Sequence, residues 1–198
     1  MSTDQPTIDH YEASVPYYTL AFDRSHSRFL DRFLDRLGSG ARVLELGCGT
    51  GRDAARMIER GFAVDATDGT AAMVAKANER HGVNARQMRF EELAASAEYD
   101  AIWAHACLMH VPTDALSDIV GAIHTALVPG GLHFASYKRG DDEFRDDRGR
   151  FNSRVTQGYV EELYSAAGFE ILELAPWQGK GADGVMRDWL AITARRPD

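Results

Sequence analysis

Three glycines and two carboxylates in the first half of the chain have the types and spacing of a ligand-binding site. Gly47, Gly49 and Gly51 directly follow the apolar segment VLEL, which contains Glu45. Glycines at such a strand end allow positive φ angles and let a ligand lie against bare backbone. Asp68 ends the next strand-like segment, where an acid can accept hydrogen bonds from both hydroxyls of a ribose. The pattern predicts a ligand that contains a nucleoside.

The residues around the glycines indicate which kind of nucleoside fits. A phosphate-binding P-loop requires Gly-Lys-Ser/Thr, but here Gly51 is followed by Arg52 and Asp53. A dinucleotide-binding loop would have its third glycine at the position of Arg52. The carboxylates of Glu45 and Asp53 disfavour phosphates and favour a positively charged group. We therefore expect a cofactor with a ribose and a cationic amino-acid end.

Structural alternatives stay open for several of these residues. The glycines can form a tight turn alone, and Asp68 can cap the helix that begins near Thr70. Cys48 and Cys107 are the two cysteines, and we expect free thiols rather than a disulfide. His105 and His110 could bind a metal as a pair, but no third ligand is suitably spaced, so no metal is expected.

Strand-like and helix-like segments alternate along the chain, with turn signals between them. The predicted strands are ARVLELG, FAVDATD, VNARQMRF, YDAIWAHA, LHFASYK, FEILELA and RDWLAITAR. The predicted helices are one within 16–37, TGRDAARMIERG, GTAAMVAKANERHG, DALSDIVGAIHTAL and one around 159–167. This alternation predicts an α/β fold, a doubly wound Rossmann-like parallel sheet with helices on both faces. Ligands of such sheets bind at the carboxyl ends of the strands.

Composition limits the classes of partner. The chain has 198 residues, which suits a single domain, and 22 basic against 30 acidic residues give a net charge of −8. This balance argues against nucleic acid as a partner. We see neither a signal peptide nor an apolar run of membrane-spanning length, so we expect a cytoplasmic protein without a membrane partner. It would be a monomer or a homodimer.

Four features in combination resemble the class I S-adenosylmethionine-dependent methyltransferases. They are VLELGCGTGRD, Asp68 after the second strand, YDAIWAHACLMHVP and ALVPGGLHFAS. The resemblance extends from about Tyr11 to Arg195. It is strongest to small bacterial enzymes of the tellurite-resistance and thiopurine-like kind, through GRD, IWAHACLMHVP and RGRF. It implies a seven-stranded sheet whose last strand, RDWLAITAR, is antiparallel.

The resemblance also implies where S-adenosylmethionine, with S-adenosylhomocysteine as its product, would bind. Its methionine part would lie against the glycine loop, its ribose on Asp68 and its adenine beside Phe90. Many relatives have an aspartate just before this last position, where Arg89 stands here. The expected cofactor-binding residues are Glu45, Gly47, Cys48, Gly49, Asp68, Gly69, Met73, Phe90, Glu91 and His105.

The sequence indicates less about the residues that would contact the methyl acceptor. Methyl transfer depends on positioning and desolvation, and it needs a base only for an acceptor that is protonated. We expect residues 1–38 to form a helical cap over the cofactor site and 139–154 a mobile substrate loop. Arg150 in this loop either recruits an anionic substrate or belongs to a solvated surface. The acceptor-side candidates are His105, His110, Tyr137 and Arg150, with Tyr11, Tyr17 and Trp177 as walls.

The sequence thus favours a methyltransferase that acts on a small molecule or a small inorganic ion. A non-catalytic nucleoside-binding module with the same fold is the alternative, because a fold does not determine activity. An NAD-dependent oxidoreductase is a third interpretation.

Overall fold

A computed structural model of the protein describes residues 4–21 and 26–198. Within them the strands are β1 (Arg42–Leu46), β2 (Ala63–Asp68), β3 (Arg86–Gln87), β4 (Tyr99–Ala104), β5 (Leu127–Arg139), β6 (Glu143–Arg145), β7 (Phe151–Val155), β8 (Glu170–Lys180) and β9 (Met186–Arg195). The helices are α1 (Gln5–Ala13), α2 (Val15–Ala21), α3 (Leu30–Leu34), α4 (Arg52–Glu59), α5 (Ala71–His81), α6 (Thr113–Ala126) and α7 (Gln157–Ala166). Strands and α-helices alternate from β1 to β5, except that only a 3-10 turn (Phe90–Glu92) lies between β3 and β4.

The main sheet has the order β3-β2-β1-β4-β5, with all neighbours parallel, and continues through β9 to β8. β9 is antiparallel to both β5 and β8, so it is the one reversed strand of these seven in the described chain. The prediction of a doubly wound sheet with an antiparallel last strand is confirmed. The parallel order brings the carboxyl ends of β1, β2, β4 and β5 to one edge of the sheet.

Residues 139–154, which we expected to form a mobile substrate loop, contain regular strands, and their role towards a substrate stays a prediction. They contain most of an antiparallel hairpin of β6 and β7, and β7 also pairs with the end of β5 at Lys138 and Arg139. The hairpin has no apolar alternation because its buried positions include the polar Asn152 and Ser153. Its register depends on polar contacts rather than on a hydrophobic face, which is why the sequence pattern did not indicate strands.

The N-terminal part differs from the single helix expected within 16–37. Two helices, α1 and α2, precede a separate short α3, and part of the predicted helix lies outside the described residues. α1 begins at a good N-terminal signal, since the Asp4 carboxylate accepts a hydrogen bond from the Thr7 backbone N–H. β3 has only two residues, and both are exposed.

The core lies on both faces of the sheet. Trp103 of β4 stacks on Phe134 of β5, with ring centroids 4.1 Å apart, and Phe33 of α3 packs on the same face. Ile102 points to the opposite face and packs with residues of α6 and α7. Such double-sided burial is expected of central parallel strands. Across residues 4–21 and 26–198, no helix is long and apolar enough to cross a membrane.

Candidate functional site

A cavity of about 450 Å³ lies at the carboxyl edge of the sheet. Its floor is formed by the ends of β1, β2, β4 and β5, and its roof by α1 and α2. The β6–β7 and β8–β9 hairpins close its far side. This volume is in the usual range for a site that holds a small organic ligand.

In the loop after β1, both packing and backbone conformation require glycine at two positions. Gly47 has φ of +70°, and a Cβ atom there would lie only 2.6 Å from the Cβ of Cys107. Gly51 has φ of +82°, and its Cβ would lie 2.9 Å from that of Ala77. The Cys48 backbone N–H donates to the carbonyl oxygen of Thr67, 2.8 Å away. The loop is thereby fixed to β2 with its backbone along the cavity.

Asp68 connects this loop to α5. Its Oδ2 accepts a hydrogen bond from the Gly49 N–H and its Oδ1 one from the Thr70 N–H, both at 2.9 Å. Each carboxylate oxygen has further acceptor capacity, and Asp68 lines the cavity. Burial raises the pKa of Asp68, and these two backbone donors oppose the rise. Asp68 thus shapes the loop and can still accept hydrogen bonds from a ligand.

The N-terminus of α5 is capped by Glu12 of α1, which the sequence did not indicate. The two Glu12 carboxylate oxygens accept hydrogen bonds from the backbone N–H groups of Ala71 and Ala72, at 2.7 and 2.9 Å. A carboxylate at this place satisfies free helix donors and the positive end of the helix dipole. The N-terminal cap is therefore attached directly to the element that follows Asp68.

Glu45 has a buried carboxylate that lacks a complete set of partners. Its side chain lines the cavity, its residue is 3% exposed, and Oε2 has no hydrogen-bond partner. Burial raises the pKa of Glu45 well above its ordinary value, and the neighbouring Asp53 contributes to the rise. Asp53 itself accepts hydrogen bonds from the Ser27 backbone N–H and the Trp103 indole. Because an unpartnered buried oxygen is costly, Glu45 fits a ligand with a cationic donor.

His105 lies in the cavity with one ring nitrogen on Ser136. The Ala106 N–H donates to Ser136 Oγ at 2.8 Å, and His105 Nδ1 lies 2.9 Å from the same oxygen. Because a hydroxyl oxygen can both donate and accept, this contact is compatible with either tautomer of the ring. Burial lowers the pKa of His105 to about 4, so the ring is neutral at pH 7. Ala106 has a φ of +54°, a strained value that this contact helps to hold.

His110 and Arg150 hold the cap rather than face an acceptor freely. His110 Nδ1 donates to the Phe151 carbonyl oxygen at 2.6 Å, so Nε2 accepts from the Tyr11 hydroxyl at 2.9 Å. Burial lowers the pKa of His110 to about 3. Arg150 pairs with Asp146 through Nε and Nη2, and Nη1 donates to the hydroxyls of Tyr11 and Tyr18. We call these residues the cap clamp: Tyr11, Tyr18, His110, Asp146 and Arg150.

Tyr137 does not face the cavity, which corrects its placement among the acceptor-side candidates. Its side chain is fully buried in the core, where its hydroxyl lies 3.0 Å from that of Tyr164. Successive residues of a strand point to opposite faces, and the next residue, Lys138, lines the cavity instead. Lys138 is 4% exposed, and its Nζ donates to Asn152 Oδ1 at 2.5 Å.

Of the other residues expected at the site, some line the cavity and some do not. Glu91 is not among the residues that line the cavity, whereas its neighbour Arg89 is. Tyr17 also lies outside the lining, where its hydroxyl donates to the Ala182 carbonyl oxygen. The expected residues that line the cavity are Tyr11, Glu45, Gly47, Cys48, Gly49, Asp68, Gly69, Met73, Phe90, His105, His110, Arg150 and Trp177.

The two cysteines are buried free thiols, and burial raises the pKa of each. Neither has the low pKa of a reactive thiol. In the described part of the chain, no three or more His, Cys, Asp or Glu side chains are grouped so as to hold a metal ion.

Comparisons with known proteins show that this chain is similar to methyltransferases. Residues 43–131 match the family model described as a methyltransferase domain. The ubiquinone biosynthesis O-methyltransferase of Azotobacter vinelandii (strain DJ / ATCC BAA-1303) is 37% identical over 105 residues. That match covers 50% of this chain and 44% of the relative, so the chain spans less than half of the relative's length.

Two solved structures extend the comparison to most of the chain. The 1,6-didemethyltoxoflavin-N1-methyltransferase of Burkholderia thailandensis, with 1,6-didemethyltoxoflavin and S-adenosylhomocysteine bound, is 26% identical with a TM-score of 0.69. The match covers 94% of this chain and 80% of that one. A SAM-dependent methyltransferase of Methanosarcina mazei has a TM-score of 0.75 at 16% identity, over 87% of this chain and 99% of that one. The latter likeness concerns the fold alone.

Proposed function

We propose that the protein is a class I S-adenosylmethionine-dependent methyltransferase that transfers a methyl group to a small organic molecule. The match of residues 43–131 to a methyltransferase domain and the likeness in fold to the Burkholderia thailandensis enzyme support this proposal. The observation that carries the proposal is the pair of carboxylates beside the glycine loop. Glu45 has an unpartnered buried oxygen, and Asp68 has free acceptor capacity in the same cavity. Together they suit a ligand with an ammonium group and a ribose.

The residues present fit the cofactor. Glu45 would accept a hydrogen bond from its ammonium group, and Asp68 would accept from its ribose hydroxyls. The backbone of Gly47 and Gly49 would lie along it, and Phe90 offers an apolar wall. When bound, S-adenosylmethionine supplies a methyl group on a positively charged sulfur. The same cofactor class is bound as S-adenosylhomocysteine in the Burkholderia thailandensis relative, which supports this assignment.

The rest of the cavity would position an acceptor and exclude water. The cap clamp fastens α1 and α2 to the β6–β7 hairpin, which closes the cavity from above. Burial lowers the pKa of His105 to about 4, so the neutral ring is a weak base for the acceptor. Catalysis would therefore rest on orientation and desolvation of an acceptor that arrives already deprotonated.

Organic acceptors are favoured over a small inorganic ion. Trp177 and Trp189 line the cavity with nearly parallel rings, with centroids 5.6 Å apart and planes at 17°. Large aromatic faces favour contact with an apolar organic body. The net charge of −8 supports a small molecule over nucleic acid. A cytoplasmic location and a monomer or homodimer remain predictions from the sequence.

The proposal can be tested by turnover. The protein is incubated with methyl-labelled S-adenosylmethionine and a metabolite extract, and transfer of the label to small molecules is followed by mass spectrometry. We expect labelled products with the wild type and much less label transfer with Asp68→Ala at a cofactor concentration that does not saturate the variant. Tight binding of S-adenosylhomocysteine without any label transfer across extracts would instead support a non-catalytic nucleoside-binding module. NADH-induced stabilisation without a response to S-adenosylhomocysteine would support an oxidoreductase.

A further inference from the structure

Lys138 is a buried cation in the cavity that the proposed cofactor contacts do not include. It lies near the end of β5, lines the cavity and is 4% exposed. Its Nζ donates one hydrogen bond, to the amide oxygen of Asn152. Among residues 4–21 and 26–198, Lys138 forms no ion pair with a carboxylate. An ammonium group has three N–H donors, so Lys138 can donate further hydrogen bonds to a ligand.

The charged side chains near Lys138 do not neutralise its ammonium group. Arg150 pairs with Asp146 at 2.7 Å, and Arg187 forms a two-point ion pair with Asp183. Each of these arginines is thus compensated by its own carboxylate, and the remaining local charge is that of Lys138. Burial lowers the pKa of Lys138 to about 8, with Arg150 and Arg187 adding to the drop and Asp146 and Asp183 opposing it. At neutral pH the side chain is mostly protonated.

An aromatic wall lies beside this cation. The Trp189 ring centroid is 6.0 Å from Lys138 Nζ, and Trp177 stacks on Trp189 from the adjacent strand. The Trp189 indole N–H is already bonded to the Gly179 carbonyl oxygen, so the ring offers the cavity apolar surface and not a donor. A cation next to flat apolar surface suits a flat molecule that carries a negative charge.

We propose that the methyl acceptor is a flat, conjugated organic acid, bound as its anion with the negative charge on the Lys138 ammonium and the ring system against Trp189. This inference rests on the proposed function and specifies its substrate class. A phenolate, an enolate or a deprotonated ring nitrogen satisfies it equally, because each delocalises the charge over a flat frame.

The charge balance of the transfer follows from this assignment. A lone pair of the anion forms the bond to the methyl carbon, and the electron pair of the broken carbon–sulfur bond stays on sulfur. The acceptor anion becomes neutral, as does the sulfonium, and no proton has to be removed. Lys138 thereby loses its counter-charge after transfer, which favours release of the methylated product. The lowered pKa of His105, about 4, makes that ring a weak base, which is consistent with such a reaction.

The test compares anions with neutral molecules of the same shape. Protein saturated with S-adenosylhomocysteine is titrated with benzoate and benzamide, and with 4-nitrophenolate and 4-nitroaniline, by ligand-observed NMR. We expect the wild type to prefer the anion of each pair by about tenfold, or 1.4 kcal/mol. Lys138→Met should lose this preference, and Lys138→Arg should largely keep it. The matched control Lys180→Met, at an exposed residue on the same cavity rim, should keep it as well.

The pH profile separates a ligand-binding role from a structural one. The anion preference should decline as the pH rises through the pKa of Lys138, about 8. Equal binding of both members of each pair by the wild type, or an unchanged preference in Lys138→Met, would overturn the inference. Failure of the wild type to bind S-adenosylhomocysteine would instead contradict the proposed function, so the two failures are distinguishable.

Discussion

The two halves of the cavity are built in different ways. The half that we propose for the cofactor, called the cofactor half, has Glu45, the glycine loop and Asp68, and it comes from two adjacent strands and the turns that follow them. The half that we propose for the acceptor, called the acceptor half, comes from β5, from both hairpins and from the N-terminal cap. Its hydrogen bonds join segments far apart in the chain, such as Arg150 to Tyr11, 139 residues away.

This difference separates what the fold dictates from what the sequence is free to vary. In the cofactor half, backbone groups fix the positions: the Gly49 and Thr70 N–H groups hold Asp68. In the acceptor half, ion pairs between side chains fix them, so single substitutions can reshape it without changing the sheet. We expect cofactor binding to depend on the first half and acceptor choice on the second.

The largest expected effect is that of Arg150→Ala in the acceptor half. This change leaves the partly buried Asp146 unpaired and frees both cap tyrosines, so it should lower the free energy of unfolding by about 3 kcal/mol. Turnover should fall, while affinity for S-adenosylhomocysteine should change by less than about threefold. Chemical denaturation and calorimetry measure the two quantities.

Arg148→Ala is the matched control for that change. Arg148 lies in the same turn and is half-buried, and its guanidinium interacts with the hydroxyls of Tyr17 and Tyr18 but is not the partner of Asp146. Its loss removes hydrogen bonds without leaving a carboxylate unpaired, so its effect on unfolding should stay below about 1 kcal/mol. If both variants lost cofactor affinity equally, the two halves would not be independent.

Asp68→Ala addresses the cofactor half. It removes the acceptor for the ribose and for two backbone N–H groups, so affinity for S-adenosylhomocysteine should fall by about 2 kcal/mol, or roughly 30-fold. Some loss of thermal stability should accompany it, because the glycine loop loses its anchor. Asp65→Ala, on the same strand but paired with Arg86, should leave affinity unchanged. Unchanged affinity in Asp68→Ala would remove Asp68 from the site.

The cofactor half was predictable from the sequence because its residues are local in the chain. The glycines, Glu45 and Asp68 all lie in or next to two strands whose apolar patterns are clear, and parallel strands bring their ends together. The order of the main sheet follows from the same alternation. What the sequence could not indicate is Glu12, which reaches α5 from a helix 59 residues earlier.

The acceptor half was predicted only in part, for physical reasons. Choosing Tyr137 rather than Lys138 is an error of one residue in a strand, and one residue reverses the face to which a side chain points. A buried lysine was not expected because lysines are rarely buried without a partner. Arg150 was among the candidates and does line the cavity. Its pairing with Asp146 was not predicted, because the hairpin that holds both residues has no apolar pattern in the sequence.

Glu45→Gln should weaken affinity for S-adenosylhomocysteine by about tenfold, since the glutamine amide cannot neutralise an ammonium group. The pKa of Glu45 is raised in the free protein, and a bound ammonium group would lower it. Binding to the wild type should therefore release a proton in the pH range below the raised pKa, and affinity should rise with pH there. Calorimetry in buffers of different ionisation enthalpy measures this release, which should vanish in Glu45→Gln.

The same raised pKa predicts the pH dependence of stability without ligand. The folded state holds the Glu45 proton more tightly than the unfolded chain does, so stability falls as the pH rises from the unfolded towards the folded pKa. Glu45→Gln removes this loss. Its melting temperature relative to wild type should increase with pH over that range, and a constant difference would count against a buried, protonated Glu45.

Tyr11→Phe should have the smallest effect of the series. The variant loses the hydroxyl between His110 Nε2 and Arg150 Nη1 but keeps the ring, which should cost about 1 kcal/mol of unfolding free energy. Cofactor affinity should not change, since Tyr11 belongs to the cap clamp. A larger loss of cofactor affinity than of stability would move Tyr11 to the cofactor half.

A crystal structure with S-adenosylhomocysteine tests the central claim most directly. We expect its ribose hydroxyls on Asp68, its ammonium group at Glu45, and its sulfur facing the part of the cavity that contains His105 and Lys138. Space for an acceptor should then remain between the sulfur and Trp189. A ligand bound elsewhere, or one that fills the acceptor half and leaves Glu45 without a partner, would contradict the assignment of the two halves.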